Sequence, residues 1–275
     1  MKAIVFFLCF LFLVPFHARA EDSGELSLLA INVGKGDSLL LRSGDTAYLI
    51  DTGKKKAFDQ LYDVLKLNGI THLDGVILTH TDSDHAGGLK QLLASDLDID
   101  QVYASAYYIK KESKHPAVKA LKKTDREVIF LSAGDSLPLD GGTLQVLGPL
   151  RRDDDKENNN SLVLLASGGG GTMLLTGDME FPEEADLLEA GVLTPVDVLK
   201  IANHGESDAT SDALIETVTP KIAVISTDTA EEPDTPALRV IRLLNSRDIR
   251  ILQTQDADHG VLVTLRDGEL RWELQ

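Results

Sequence analysis

Within six residues, His80-Thr81-Asp82-Ser83-Asp84-His85, the chain places two imidazoles and two carboxylates directly after an apolar run at residues 75–79. This loop constrains the fold more than any other feature, because its polar groups need partners and a rigid strand end to hold them. Without thiolates, a divalent ion such as zinc takes imidazole nitrogen and carboxylate oxygen. Cys9 is the one cysteine and lies in the leading apolar run, so disulfides, thiolate sites and cysteine nucleophiles are excluded beyond it. Alternation along an extended loop puts His80, Asp82 and Asp84 on one side, with His85 turned by the bend that follows. That is too many ligands for one ion and suits two, about 3.5–4 Å apart. Gly87-Gly88 allows close backbone approach and starts a helix over residues 87–94, with its positive end near the loop. Helix capping would explain one aspartate, but not two histidines beside it.

Two other strand ends carry complementary groups. Thr176-Gly177-Asp178 follows a strand at 172–176 and offers a lone carboxylate able to bridge two cations. Asn203-His204-Gly205 follows a strand at 196–201 and offers an imidazole. Either alone reads as an ordinary turn; together with the first loop they supply what a dinuclear centre needs. The remaining pattern predicts strands at 26–33, 38–42, 47–50, 161–166, 222–226, 249–252, 261–265 and 270–274, and helices near 58–67 and 236–244. Gly168 to Gly171 suits a hairpin turn, and the polar stretch 151–160 reads as a loop. Two halves of similar style, with no fixed repeat and no linker, predict one α/β domain over residues 21–275 with mostly antiparallel sheets.

The first twenty residues read as a leader. Lys2 is followed by an apolar run of about 14 residues and then by the small-x-small pattern Ala18-Arg19-Ala20. The run is shorter than the roughly 20 residues of a spanning helix, so we expect cleavage after Ala20, export to the periplasm or medium, and no membrane span thereafter. The formal charge is −17, and losing Lys2 and Arg19 leaves 25 basic against 44 acidic residues, or −19. Such a surface disfavours tight nucleic-acid binding and points to a small-molecule or envelope substrate. The run Lys54-Lys55-Lys56 and the looser set Lys110, Lys111, Lys114, Lys119, Lys122 and Lys123 read as solvated surface. His72 and His115 read as structural; His259 has no assignment.

In order along the chain, Val33-Gly34-Lys35-Gly36-Asp37-Ser38, Leu49-Ile50-Asp51-Thr52-Gly53, Leu78 to His85, Asn158 to Leu164, Leu175-Thr176-Gly177-Asp178 and Asp197-Val198-Leu199-Lys200 resemble the metallo-β-lactamase fold. Within it they are most similar to the subfamily typified by the hydrolase domain of the competence protein ComEC. The resemblance spans about residues 26–266 and implies an αββα sandwich with the metals at one edge. It implies a first metal on His80 and Asp82, and a second on Asp84, His85 and His204. Asp178 would bridge them, and Asp37 and Asp51 would orient ligands from behind. The cations implied are two zinc ions, with manganese as the alternative. The reaction implied is hydrolysis, of a phosphodiester above all, by water activated near Asp178, which makes Asp84 and Asp178 the catalytic carboxylates. Two departures stand out. The third histidine that many members give the first metal is absent from Glu157-Asn158-Asn159-Asn160-Ser161, leaving Asn158 and Ser161 as substrate or supporting residues. Asn203 stands where the subfamily has a histidine, which removes a general acid or a positive charge from the substrate side. A metal- or partner-binding protein on a degenerate scaffold, and a lactone or β-lactam hydrolase, are the competing readings.

Overall fold

The computed structural model describes residues 24–275; the expected leader, its expected cleavage after Ala20 and Cys9 lie outside them. Two large sheets carry the fold. The first has eight strands and the second seven, with a separate two-stranded ladder of His72–Leu73 and Asp98–Ile99. In the first sheet, Gly260–Arg266 pairs antiparallel with Glu25–Ile31, and Glu269–Leu274 flanks it. The last two strands therefore join the sheet built by the N-terminal half, so the sheets do not divide the chain into consecutive halves.

Both sheets are mixed, which corrects the expectation of mostly antiparallel pairing. Thr46–Ile50, Gly75–Leu78, Val102–Ser105 and Val128–Leu131 run parallel, as do Gly171–Leu175, Val198–Lys200, Ile222–Ile225 and Arg250–Gln253. The helices between these strands return the chain to the same end of the sheet, as parallel order requires. Four layers result. Leu26, Leu28, Leu41 and Ile50 meet Leu144, Leu164, Met173 and Val224 between the sheets. Behind the first sheet, Leu29, Leu49 and Val76 pack on Leu61, Leu65 and Leu92 of the helices Phe58–Leu67 and Leu89–Leu92. Behind the second, Leu174, Leu199 and Ala223 pack on Leu187, Leu214 and Leu244 of Phe181–Ala190, Asp212–Val218 and Leu238–Ser246. This is the αββα sandwich that the resemblance implies, and strands with both faces buried explain the near-continuous apolar runs.

The parallel strands bring successive C-terminal ends to one rim. Asp51, His80, Asp178 and His204 all follow such ends within four residues, where open α/β sheets bind their ligands.

His115 is structural, as expected. Its Nδ1 caps the helix Pro116–Leu121 by accepting from Ala117 N at 3.2 Å, and its ring lies edge-on to Tyr108 and Phe130. Burial pushes its pKa down to about 4. Below pH 6.5 the unfolded chain binds a proton that the folded chain refuses until about pH 4. Stability is therefore complete above pH 6.5 and falls through that window, by on the order of 3 kcal/mol from this residue alone. Urea midpoints between pH 7.5 and 4.5 should fall more steeply in the parent than in His115→Asn, whose amide can still cap; equal slopes would refute this.

Candidate active site

The strand Gly75–Leu78 delivers His80, and the chain then coils at once. Ser83–Ala86 is a helical turn, followed by a second, Leu89–Leu92. Extended alternation therefore does not hold, nor does a single helix over residues 87–94 with a useful N-terminal dipole. The turn faces His85 inward beside His80, with ring centroids 4.2 Å apart. Asp82 moves to the rim, where its Oδ2 lies 3.9 Å from His80 Nε2 and its Oδ1 lies 3.4 Å from Lys110 Nζ. Asp82 occupies the helix N-cap without making a side-chain cap bond, so capping does not account for it.

Asp178 is the point of convergence. Its Oδ2 lies 3.1 Å from His85 Nε2, 3.5 Å from His204 Nε2 and 3.8 Å from His80 Nε2. His204 Nε2 is also 3.7 Å from Asp84 Oδ2 and 3.4 Å from His85 Nε2. Three of the six expected ligands, His80, His85 and Asp178, thus share one group, and Asp84, His85 and His204 share another. Asp82 alone stands off.

Each ring is aimed by its other nitrogen. His85 Nδ1 lies 2.7 Å from Asp51 Oδ2, and His204 Nδ1 lies 2.9 Å from the Ser226 carbonyl, so both donate there and turn Nε2 to the cleft. Asp51 also accepts Thr79 N at 2.8 Å and Thr79 Oγ1 at 2.7 Å, tying the ligand loop to its strand. Its backbone is left-handed, with φ 62°, as are Asn203 at 45° and His204 at 54°. Such strain costs about 1–3 kcal/mol per residue and collects where side chains must be aimed. Ser161 Oγ accepts Asp178 N at 3.1 Å and lies 3.4 Å from His80 Nδ1, so it fixes both. Asn158 donates to Glu180 and Asn203 to Asp208, so neither amide faces the imidazoles. Asn160, fully buried, clamps Asp153 and Lys156 of the polar loop.

The electrostatics suit a cation. Burial pulls His85 down, but Asp178 and Asp51 outweigh it and hold its pKa well above the usual range. Burial raises Asp178, yet His85 and His204 hold its carboxyl well below the ordinary value. Burial and then His85 lower His80. His80 Nε2 and Asp178 Oδ1 are buried and have no hydrogen-bond partner. Buried polar atoms are rarely left so, and a divalent ion bound by imidazole and carboxylate would satisfy both. The residues present therefore fit a metal, whose identity their chemistry leaves open.

One contributor lies behind the imidazoles rather than among them. Lys200 interrupts the apolar run Val198-Leu199-Lys200-Ile201 and is fully buried, its Nζ 2.9 Å from Asp37 Oδ2. Asp37 Oδ1 lies 3.7 Å from His204 Nδ1. His259 stays apart, its backbone joining Asn32 and Gln275.

The family model described as the metallo-beta-lactamase superfamily matches residues 31–229. The ComE operon protein 3 of Bacillus subtilis is 28% identical over 262 residues, covering 89% of this chain and 33% of that protein. Competence protein ComA of Neisseria gonorrhoeae is 26% identical over 243 residues, covering 88% and 33%. The chain thus spans about a third of the length of these curated relatives. Among solved structures, the metallo-beta-lactamase fold protein YhfI of Bacillus subtilis superposes with a TM-score of 0.54 at 15% identity, covering 88% of this chain and 99% of that one.

Proposed function

This chain belongs to the metallo-beta-lactamase superfamily and is similar to ComEC-type competence proteins, and on that premise we propose that it is an exported, metal-dependent hydrolase of phosphodiesters. The observation that carries the reading is the convergence of three imidazole Nε2 atoms within 3.8 Å of Asp178 Oδ2. His80, Asp82 and Asp178 would hold one ion, and Asp84, His85, His204 and Asp178 the other, zinc by preference. When bound, such cations supply positive charge against a developing oxyanion and acidify water.

The chain's own groups do the rest. Asp51 and the Ser226 carbonyl accept from Nδ1 of His85 and His204 and so aim the Nε2 of each ring at the cation position. Ser161 holds Asp178 through its backbone, leaving Oδ1 without a protein partner and free to face a cation. The sandwich keeps His80, His85 and His204 buried, so charges there act in a low dielectric. Among the described residues no helix is long and apolar enough to cross a membrane.

A binding protein on a degenerate scaffold is favoured by one observation: the group around His80 has a single imidazole of its own besides shared His85, and Asp82 stands 3.9 Å away. Elemental analysis of the purified protein separates the readings. Near two ions per chain, turnover of a chromogenic phosphodiester and its loss in Asp84→Ala are expected. One ion or none, with no turnover, would leave the binding reading; a full rate in Asp84→Ala would overturn the hydrolase.

A further inference from the structure

Three lysines sit on the backbone that carries the cation-facing residues, and each is paired with a glutamate. Asp37 N donates to Asp84 O at 3.2 Å, Thr52 N to His85 O at 2.6 Å and Gly53 N to Asp37 O at 2.8 Å. The loops bearing Lys35, Lys54 and Lys56 are therefore bound to the Asp84–His85 turn. Lys35 Nζ lies 2.5 Å from Glu206 Oε1 and 2.6 Å from Glu232 Oε2. Glu206 is two residues past His204.

Glu231 sits in a different kind of place. Its carboxylate accepts the backbone N–H of Lys35 at 3.2 Å, the Lys54 ammonium at 2.7 Å and the Lys56 ammonium. Gly34 has φ +78°, and a Cβ there would stand 3.1 Å from Glu231 Oε2. A side chain at that position would crowd the carboxylate. One backbone donor and two ammonium groups, converging beside a glycine, make a cradle for an oxyanion. Lys54 and Lys56 hold the Glu231 carboxyl down to about 2, so the occupant is charged at any working pH.

Apart from one bond from Thr229 N to Gln255 Oε1 at 2.8 Å, the segment that delivers Glu231 and Glu232 is held by charge rather than by packing. Residues 229–234 are exposed and contribute nothing to the apolar core. Glu231 N and Glu232 N bond only within their own turn, to Asp228 O. Buried Thr227 and Thr235 pin the two ends together, and Ala237 N donates to Gly205 O beside His204. An internal anion fixed this way can exchange with an external one, since what holds it is what an oxyanion would bind. An acidic strap over a lysine cradle also fits a chain of charge −17 that must still admit an anionic group.

We propose that the Lys35 N–H, Lys54 and Lys56 form an oxyanion subsite of the cleft, which receives a phosphate-type group of the substrate when the Glu231–Glu232 strap lifts away. This rests on reading the cleft as a site for phosphorus esters. Glu231 is an internal competitor, so the apparent affinity of the subsite is reduced by the fraction of molecules with the strap in place.

Inorganic phosphate titrated calorimetrically into the chelator-treated full chain reads the cradle without cations that would bind phosphate themselves. Glu231→Gln should bind phosphate about tenfold more tightly than the parent, and Glu231→Gln/Lys54→Gln should lose that gain. Affinity equal to the parent's in a folded Glu231→Gln, or a gain that survives loss of Lys54, overturns the subsite. Should Glu231→Gln fail to fold, Glu231→Asp, whose carboxylate retracts by one methylene, must show a smaller gain of the same sign; unchanged affinity there overturns it equally. The hydrolase reading fails separately. Tighter phosphate binding in a protein that turns over no phosphodiester would sustain the subsite and sink the enzyme, whereas turnover with unaltered phosphate affinity would do the reverse.

Discussion

Asp178→Asn is expected to abolish hydrolysis, lowering the rate by about 10³-fold or more, and to strip metal from the protein while leaving it folded. The magnitude follows from position. One oxygen of this side chain faces His80, His85 and His204 within 3.8 Å, and the other is buried with no partner. Removing a single preorganised charged or polar group from such a site costs about 10²–10³ in rate, and here the same change also removes the carboxylate both cations would share. Folding should survive, because Asp178 is placed by its backbone: its N–H bonds Ser161 Oγ, and Met179 N bonds Thr176 O. Elemental analysis, a phosphodiester assay and a thermal melt on one preparation settle it. Two ions per chain at the parent rate in Asp178→Asn would remove the basis for any reaction here.

The second large effect falls on stability. Lys200 is fully enclosed, bonded to the Ile201 carbonyl at 3.0 Å and paired with Asp37 at 2.9 Å. Lys200 is the chief opposing influence to burial on Asp37, whose carboxyl is held below its ordinary value. Deleting one partner strands the other charge in the interior, at about 3–5 kcal/mol. For a chain of this size that is a fall in Tm on the order of 10 °C. Asp37→Ala and Lys200→Met should each show it, and the double variant should lose less than the sum, since no buried charge is then left unpaired. Additive losses would show that the two groups are not coupled. A replaced pair could even match the parent in stability while weakening metal retention, because Asp37 also stands beside His204.

Ligand types were legible along the chain because they sit where local pattern is strongest. The apolar run at 75–78 ends two residues before His80, the run at 171–175 ends three residues before Asp178, and the helix Phe58–Leu67 follows its apolar spacing closely. Strand and helix periods and the polar groups that terminate them are short-range properties. They were enough to predict one α/β domain and to nominate His80, Asp84, His85, Asp178 and His204, all of which the fold brings to one rim; the αββα layering came from the resemblance of the six motifs, not from these periods. Asp82 was nominated by the same density and stands 3.9 Å from His80, at the edge.

What local pattern did not reach depends on how distant segments meet. Spacing alone suggested an extended loop at residues 80–85, but the chain coils at Ser83, and that turn decides that His85 rather than Asp82 faces Asp178. Mixed rather than antiparallel pairing follows from which strands neighbour one another, which side-chain alternation does not encode. His85 and His204 touch across 119 positions, and Lys35 meets Glu206 across 171. Composition and motif determined which chemistry this protein can hold: imidazole and carboxylate, without thiolate. Only the tertiary structure decided which nitrogen of each ring faces the cleft, why a lysine is buried behind it, and which glutamate fills the lysine cradle. Those outcomes are set by contacts whose partners lie too far apart in the chain for any local pattern to couple them.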